Sequence, residues 1–489
     1  MIGIFPLIVI AFQIYIVFTV IVLLLDNRDP SETFAWIFIF ILLPIAGFAL
    51  YLFAGRNWKK SYDHKRKLPQ YIAKNLITLF KPINEAQEKL IKLMSSRSKL
   101  QHNDLMTLLY RNSKSLLTVD NSVKVYHQGK EKFEDLLKDI KEAKNFIHLQ
   151  YFIWYSNDAL GKKLKKLLIE KVKEGVEVKI LYDYSGCFFT LGRGYIRSLR
   201  KEGILIYPFF NYLSAFKTHT FNYRNHRKIA VIDGKTAYMG GMNIGQEYID
   251  GGKKYKSWRD THMRFKGDSV NILQAIFAID WYNTVPKEDI FEKKYFPTLP
   301  DKLELTGDLP IQFPTSGYDS PWPAIMQLYF SFITMAEKKI TIVSPYFIPE
   351  SSLLVALKTA AMRGIKVTVL MAGIHDNPMP YWAAFSYFEE LLKSGVQIFQ
   401  YQKGFMHAKI LSCDGRMCSM GTANFDIRSL RLNYEVNAVF YDEKLTNEID
   451  QQIAKDLEDS KEVTLADFNQ ISIIVRLRSS LMRLFSALL

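Results

Sequence analysis

Apolar and polar residues are arranged in three different ways along this chain, and each arrangement predicts a different kind of structure. Ile2 to Leu25 and Phe34 to Phe53 run without a charged residue. As helices rising about 1.5 Å per residue they would extend about 36 and 30 Å, enough to cross the hydrocarbon core of a bilayer. Between them Asp26, Arg28, Asp29, Pro30 and Glu32 make a polar turn, so a two-helix membrane hairpin is expected over residues 1–57. A cleaved signal peptide fits less well, because no positive charge precedes the first run and a second run follows at once. Residues 58–118 read as a mixed polar and amphipathic linker.

Beyond the linker the pattern becomes strand, helix, strand. Phe146 to Ile153 reads as a β-branched and aromatic strand, and Leu160 to Val172 as a helix with Leu160, Leu164, Leu167 and Leu168 on one face. Gly175 ends that helix, Val176 to Tyr182 alternates into a strand, and a further helix ending near Gly203 leads to a strand from Ile204 to Tyr207. The order then repeats: strand Ile340 to Val343, helix Leu353 to Met362, Gly364, strand Ile365 to Met371, helix Tyr381 to Lys393, Gly395 and strand Val396 to Tyr401. Alternating βα units predict an α/β fold of two lobes, residues 119–300 and 301–465, each a largely parallel sheet sandwiched between helices and related by a pseudo-twofold axis.

The final segment changes pattern again. Ile473, Leu477, Leu481, Leu484 and Leu488 fall at helical spacing with Arg476, Arg478 and Arg483 between them, an amphipathic helix over 466–489. Two roles fit: an interfacial helix resting on anionic lipid, or a helix packing on its own lobe.

Charge narrows the partners. The chain of 489 residues carries a formal net charge of +15 and a pI near 9.3, which suits either nucleic acid or an anionic lipid surface. Beside a membrane hairpin the lipid is the economical partner, and nucleic acid is not expected. Arg56, Lys59, Lys60, Lys65, Arg66 and Lys67 crowd the exit of the second apolar run, which predicts a multi-pass protein of the cell membrane with its bulk on the cytoplasmic face. Cys187, Cys413 and Cys418 have no metal-ligand spacing and read as small, partly buried residues. The lysines at 162, 163, 165, 166, 171 and 173 read as a solvated helix face.

The chemistry lies in a signature that occurs twice. His226-Arg227-Lys228 runs to Asp233, and His407-Ala408-Lys409 runs to Asp414, both reading H-x-K-x4-D, 181 residues apart. Each Asp is followed by Gly, each copy has a Met-Gly pair at the same offset, and each has an Asn seventeen residues after its His, Asn243 and Asn424. Period-two alternation would put His226 with Lys228, and His407 with Lys409, on one face of a strand. The Asp-Gly steps read as tight hairpins, so Asp233 and Asp414 are expected first as turn anchors although they complete the motif.

Protonated Lys is a poor metal ligand and no His, Cys and carboxylate cluster accompanies these motifs, so neither metal nor other cofactor is implied. The pairing suits phosphoryl transfer. Lys supplies fixed charge to phosphate oxygens, and neutral imidazole can attack phosphorus, splitting one hard displacement into two easier ones. In-line displacement sets nucleophile and leaving group on opposite sides of phosphorus, which explains two half-sites: one His attacks while the other protonates the leaving oxygen.

On these residues the chain resembles the phospholipase D superfamily, and within it the bacterial cardiolipin synthases. The likeness extends to Gly240-Gly241-Met242-Asn243-Ile244-Gly245, Trp258-Arg259-Asp260-Thr261-His262, Pro345-Tyr346-Phe347-Ile348-Pro349, and Gly421 through Ser429 with Asn433-Tyr434-Glu435. The resemblance implies that two phosphatidylglycerol molecules give cardiolipin and glycerol through a phosphatidyl-histidine. It implies His226 as nucleophile, His407 as general acid and then base, and Lys228, Lys409, Asn243 and Asn424 as ligands of the nonbridging oxygens. It points to Asp260, 34 residues after His226, and Glu435, 28 after His407, as the carboxylates that fix the imidazole tautomers. His262 is expected as a packing residue, His219 as either. A lipid hydrolase, a phosphatidylserine synthase, a nuclease and a catalytically dead lipid tether share the scaffold, and a homo-oligomer stays open.

Overall fold

The computed structural model describes residues 4–25, 30–43, 46–47, 51, 76–97, 103–210, 222–285, 288, 290–299, 307–317 and 319–484. The chain divides into two compact units, Met1–Lys67 with Phe210–Asn222, and Leu68–Phe209 with Tyr223–Leu489. In the first, helix α1 covers Ile4–Leu25 and α2 covers Pro30–Leu42. Leu23 is buried against Phe40 and Tyr51, whose rings meet edge to face at 5.3 Å. Among the described residues no helix is long and apolar enough to cross a membrane. The second expected span is described as helix for 13 residues. The basic cluster from Arg56 to Lys67, most of the connecting turn, His219 and much of the linker lie outside the described residues.

The second unit holds both lobes. The first lobe's strands are β1 Asn121–Tyr126, β2 Phe146–Tyr151, β3 Glu177–Asp183, β4 Leu205–Phe209, β5 Ile229–Ile232, β6 Thr236–Gly240, β7 Trp258–Arg259 and β8 His262–Gly267. Its sheet has the order β1-β8-β6-β5-β2-β3-β4. Helices α3 (Ala159–Lys173), α4 (Arg193–Lys201) and α5 (Asp268–Thr284) accompany it. The second lobe carries β9 Ile311–Gln312, β10 Thr315–Ser316, β11 Lys339–Val343, β12 Phe347–Ile348, β13 Lys366–Ala372, β14 Gln397–Tyr401, β15 Phe405–Met406, β16 Ile410–Cys413, β17 Met417–Gly421, β18 Phe425–Asp426, β19 Glu435–Phe440 and β20 Ser460–Val463. Its main path runs β10-β19-β17-β16-β11-β13-β14-β20. Its helices include α6 (Ser351–Met362), α7 (Pro378–Phe385), α8 (Phe388–Lys393), α9 (Glu443–Glu458) and α10 (Ile473–Leu484).

The expectation of largely parallel sheets is corrected. Within the two main sheets, among the described residues, only β2-β3-β4 and β11-β13-β14 run parallel; the signature strands β5 and β16 lie antiparallel beside β2 and β11, and the strands beyond them continue antiparallel. The Asp-Gly hairpins account for the pairing of β5 with β6 and of β16 with β17. Helical crossovers make parallel neighbours, but a two- or three-residue turn can return the chain only antiparallel. Asp233 and Gly234 both have positive φ, 53° and 61°, as do Asp414 and Gly415, 55° and 71°, the backbone a tight primed hairpin turn requires.

The repeat is also visible in its helix ends. Asp158 caps α3 by accepting from Gly161 N at 2.7 Å, Glu350 caps α6 by accepting from Ser352 N at 2.8 Å, and each helix is followed by a left-handed glycine, Gly175 and Gly364, both at φ 89°. Each cap contributes about 1 kcal/mol. The helix expected from Tyr381 to Lys393 is instead two, α7 and α8, which meet at Ser386-Tyr387. Between the lobes, Phe265 of β8 stacks on Phe440 of β19 at 6.4 Å within one continuous apolar core.

Helix α10 packs on its lobe in an unusual sense. Ser479 is buried against the lobe, and the exposed arginines stack along the edge of the contact, Arg478 lying 3.4 Å from the ring centre of Trp382 and Arg483 4.2 Å from that of Tyr387, because guanidinium stacks well on aromatic faces. Its apolar stripe, Ile473, Ile474, Leu477 and Leu481, faces outward.

Candidate active site

Each signature enters its sheet through a backbone exchange with the other lobe. His226 N donates to Tyr434 O at 2.9 Å and Tyr434 N to Arg224 O at 2.8 Å; His407 N donates to Arg259 O at 2.7 Å, beside the parallel pairing of β15 with β7. The histidines therefore sit just before β5 and β16, at the junction of the lobes. Asn225 N donates to Asp183 Oδ2 at 2.8 Å at the end of β3, and Gln150 of β2 donates to Asn225 Oδ1 at 2.9 Å. The motif's approach is thus fixed from two neighbouring strands. Lys228 Nζ donates to the carbonyl of His226 at 2.6 Å, and Lys409 Nζ likewise to the carbonyl of His407. Each Lys stays beside its own His, as period-two spacing requires.

The carboxylates are exchanged between lobes. Glu435 of the second lobe meets His226 Nδ1 at 2.9 and 3.0 Å, and Asp260 of the first lobe meets His407 Nδ1 at 2.7 Å. Counting along the chain associates each carboxylate with the histidine of its own lobe; in space each serves the other. Glu435 is further held by Thr422 Oγ1 and by Asn433 Nδ2 at 3.2 Å, and Asp260 by Thr261 N at 2.7 Å. A carboxylate on Nδ1 selects the tautomer that carries its proton there, which leaves a lone pair on Nε2 for chemistry.

The electrostatics suit that tautomer. Burial pushes the His226 imidazole down to about 4, against the pull of Glu435, and pushes His407 down as well. Burial works against charge on Glu435 and Asp260, but the neighbouring imidazoles and lysines outweigh it and hold both carboxyls below their ordinary range. Lys409 is pushed down to about 8 by burial and Lys228 falls well below its ordinary value. His226 senses the charge of Lys409, and His407 that of Lys228. The structure therefore brings His226, Lys228, Glu435, His407, Lys409 and Asp260 into one buried cluster, in which each lysine ammonium bonds the carbonyl of its own histidine and both could turn to the oxygens of a phosphodiester. The ring of Phe152 meets His226 edge-on at 4.9 Å and Trp258 lies 5.3 Å from His407, an apolar border that limits water.

Asn243 is engaged by the protein on both sides: Oδ1 accepts from Ile153 N at 3.0 Å and Nδ2 donates to Tyr248 Oη at 3.0 Å. Asn424 is buried, and its Oδ1 has no hydrogen-bond partner among the described residues. Asp233 and Asp414 stand apart from the reacting groups. Asp233 accepts from the backbone N–H of Lys144, Asn145 and Phe146 at 2.8, 2.7 and 3.0 Å, and Asp414 from those of Glu337, Lys338 and Lys339 at 2.9, 2.8 and 2.8 Å. They anchor the segments leading into β2 and β11, because a turn aspartate at positive φ faces the start of the adjacent strand. His262 is buried, with Nδ1 accepting from Met242 N at 3.3 Å.

Two arginines that motif reading passed over hold the site together. Arg227 pairs with Asp280 of α5 through Nη1 at 2.8 Å and reaches Glu435 O and Ser316 O in the second lobe, both at 3.3 Å. Arg259 pairs with Asp456 of α9 at 2.8 Å and donates to Asp260 O at 2.6 Å. Each links the lobes next to a catalytic candidate. The only sequence signal was a basic residue adjoining a candidate group, at the open position of the first H-x-K and just before Asp260.

Comparison with known proteins agrees with this geometry. Residues 136–254 and 329–457 match the family model described as cardiolipin synthase, PLD-like domain, and residues 11–56 match one described as phospholipase D-nuclease N-terminal. A cardiolipin synthase of Oceanobacillus iheyensis is 38% identical over 98% of both chains, and the major cardiolipin synthase of Bacillus subtilis is also 38% identical over 98% of both. The crystal structure of a phosphatidylserine synthase from Haemophilus influenzae aligns with TM-score 0.60 at 16% identity, covering 75% of this chain and 95% of that one, a likeness of fold. With family models over both lobes and relatives matching end to end, the chain belongs to the cardiolipin synthases of the phospholipase D superfamily.

Proposed function

We propose that the paired half-sites transfer a phosphatidyl group from one phosphatidylglycerol to another, giving cardiolipin and glycerol. The observation that carries this reading is the pair of buried imidazoles, each with Nδ1 on a carboxylate from the opposite lobe and a lysine beside it. In the first step His226 Nε2 attacks phosphorus, a phosphorus–nitrogen bond forms, and protonated His407 gives its proton to the departing glycerol oxygen. The substrate's negative charge favours the protonated form of His407, against the burial that depresses it in the empty site. In the second step neutral His407 takes the proton from the primary hydroxyl of a second phosphatidylglycerol, whose oxygen displaces His226.

Lys228 and Lys409 hold the nonbridging oxygens throughout, with the carboxamide of Asn424 beside them. Asn243 orients that pocket through Tyr248. One phosphodiester replaces another, so the exchange needs little net free energy and no nucleotide.

Residues 1–57 serve in this reading as a two-helix hairpin in the cell membrane, followed by the linker 58–118. The lobes 119–300 and 301–465 then stand on the cytoplasmic face beside anionic lipid, and the terminal helix adds its outward apolar stripe to that contact. Product analysis with labelled phosphatidylglycerol in mixed micelles tests the function. Cardiolipin plus glycerol supports it, phosphatidic acid would make the enzyme a hydrolase, and absence of turnover would leave a lipid tether.

A further inference from the structure

The loop that follows β3 carries an aromatic pair that the fold itself does not need. Its backbone is tightly organised: Cys187 N donates to Asp183 O at 3.0 Å, Leu191 N to Cys187 O at 2.9 Å, Gly186 N to Asp183 Oδ1 at 2.8 Å and Gly192 N to Ser156 Oγ at 3.0 Å. Cys187 is buried, its thiol donating to Phe152 O at 3.4 Å. Yet the next two side chains face outward. Phe188 is 56% exposed and Phe189 95%, their rings edge to face at 4.8 Å.

This loop adjoins the site. Asp183, which anchors it, also accepts from Asn225 N, the residue before His226, and Phe152 links Cys187 to the ring of His226. Residues 184–201 contain Arg193, Arg197, Arg200 and Lys201 and no acid, and Arg193 and Arg197 are exposed. The corresponding loop of the second lobe, after β13, reads Gly373-Ile374-His375-Asp376-Asn377, and its Asp376 is engaged by Tyr346 and Lys254. The topological position therefore does not demand aromatics.

Resting on the phosphatidyl-transfer reading of the site, we infer that Phe188 and Phe189 insert into the anionic lipid surface and seat the first half-site on its substrate. The chemistry specifies the occupant. A rigid loop loses little conformational freedom when its tip is buried, exposed phenyl rings gain from leaving water, and the guanidinium flank matches phosphate headgroups. A diacyl substrate whose phosphorus must reach His226 keeps its acyl chains in the lipid layer, so a contact beside the site sets the depth at which the phosphate meets it.

The test uses the full chain reconstituted in phosphatidylglycerol vesicles. Because Cys187, Cys413 and Cys418 are buried, a Phe189→Cys variant offers one accessible thiol for an environment-sensitive fluorophore. Quenching by nitroxide-labelled acyl chains is expected, stronger in phosphatidylglycerol than in phosphatidylcholine. No quenching would overturn the inference, and energy transfer between labelled copies without acyl-chain quenching would assign the pair to a protein contact instead. The double variant Phe188→Ser/Phe189→Ser should lose roughly tenfold or more in turnover on vesicles while keeping its rate on short-chain phosphatidylglycerol below micellar concentrations within about twofold. Equal loss on both substrates would also overturn it. Wild-type protein inactive on both substrates would sink the catalytic reading, with the quenching result still reporting on the loop.

Discussion

Glu435 meets the imidazole of His226 at 2.9 Å although 209 residues separate them along the chain. Glu435→Gln keeps the size of the side chain and removes the charge that fixes the tautomer. A fall of about a hundredfold or more in the rate of adduct formation is expected, by the scale of losses when an imidazole-orienting carboxylate becomes an amide. Asp260→Asn should instead slow protonation of the leaving glycerol and the second transfer. Single-turnover kinetics with labelled phosphatidylglycerol separates the two, and identical effects on every step would dissolve the division between half-sites.

Replacing either histidine by Ala should abolish turnover. With His407 replaced, an acid-labile lipid adduct should accumulate on His226, located by peptide mass spectrometry. An adduct on His407 in the His226→Ala protein would reverse the assignment of nucleophile.

The pH profile follows from burial. The neutral imidazole of His226, present above about 4, is lost as pH falls through that value. The proton that His407 must give is lost first as pH rises, because burial holds that imidazole below its ordinary range, and the charged form of Lys409 is lost in turn as pH rises through about 8. The profile of kcat/KM for free enzyme should therefore be bell-shaped, with its acid limb displaced below the ordinary imidazole range. An acid limb centred at the value of a solvated histidine would mean that the site is wet.

The buried pair of Arg227 and Asp280 bridges the signature to α5. Asp280→Ala should destabilise the protein by about 3–5 kcal/mol, because it strands a desolvated guanidinium. Replacing both partners by apolar residues should cost less than the single change. Denaturation of the solubilised chain, followed by tryptophan fluorescence, measures both.

Asp233 separates structure from chemistry. Its three backbone acceptor contacts predict that Asp233→Ala lowers stability by about 2–3 kcal/mol while the folded fraction keeps its turnover per active site. A large loss of kcat without loss of stability would return Asp233 to the reacting groups.

The legible part of this molecule was what repeats locally. Leu160, Leu164 and Leu168 announced a helix, Gly175 its end, and the spacing of His and Lys their shared face, because those properties depend on neighbours a few residues away. Strand direction was less legible: the Asp-Gly turns at 233–234 and 414–415 announce the pairing of β5 with β6 and of β16 with β17, but the direction of β5 beside β2 and of β16 beside β11 depends on where the chain docks after a long connection. Partner choice across the lobes was least legible. Nothing adjacent to Glu435 marks it as belonging to His226, since that contact is set by two sheets meeting through Phe265 and Phe440. The outward apolar stripe of α10 was likewise hidden, because helical spacing reveals two faces without saying which one the lobe will take.

The crossed carboxylates have a consequence for biosynthesis. While the first half of the chain is emerging from the ribosome, His226 has no anion to set its tautomer, for Glu435 has yet to be made. Each half-site is thus completed only when its twin has been translated and docked, since the anion that orients either imidazole comes from the opposite half of the chain.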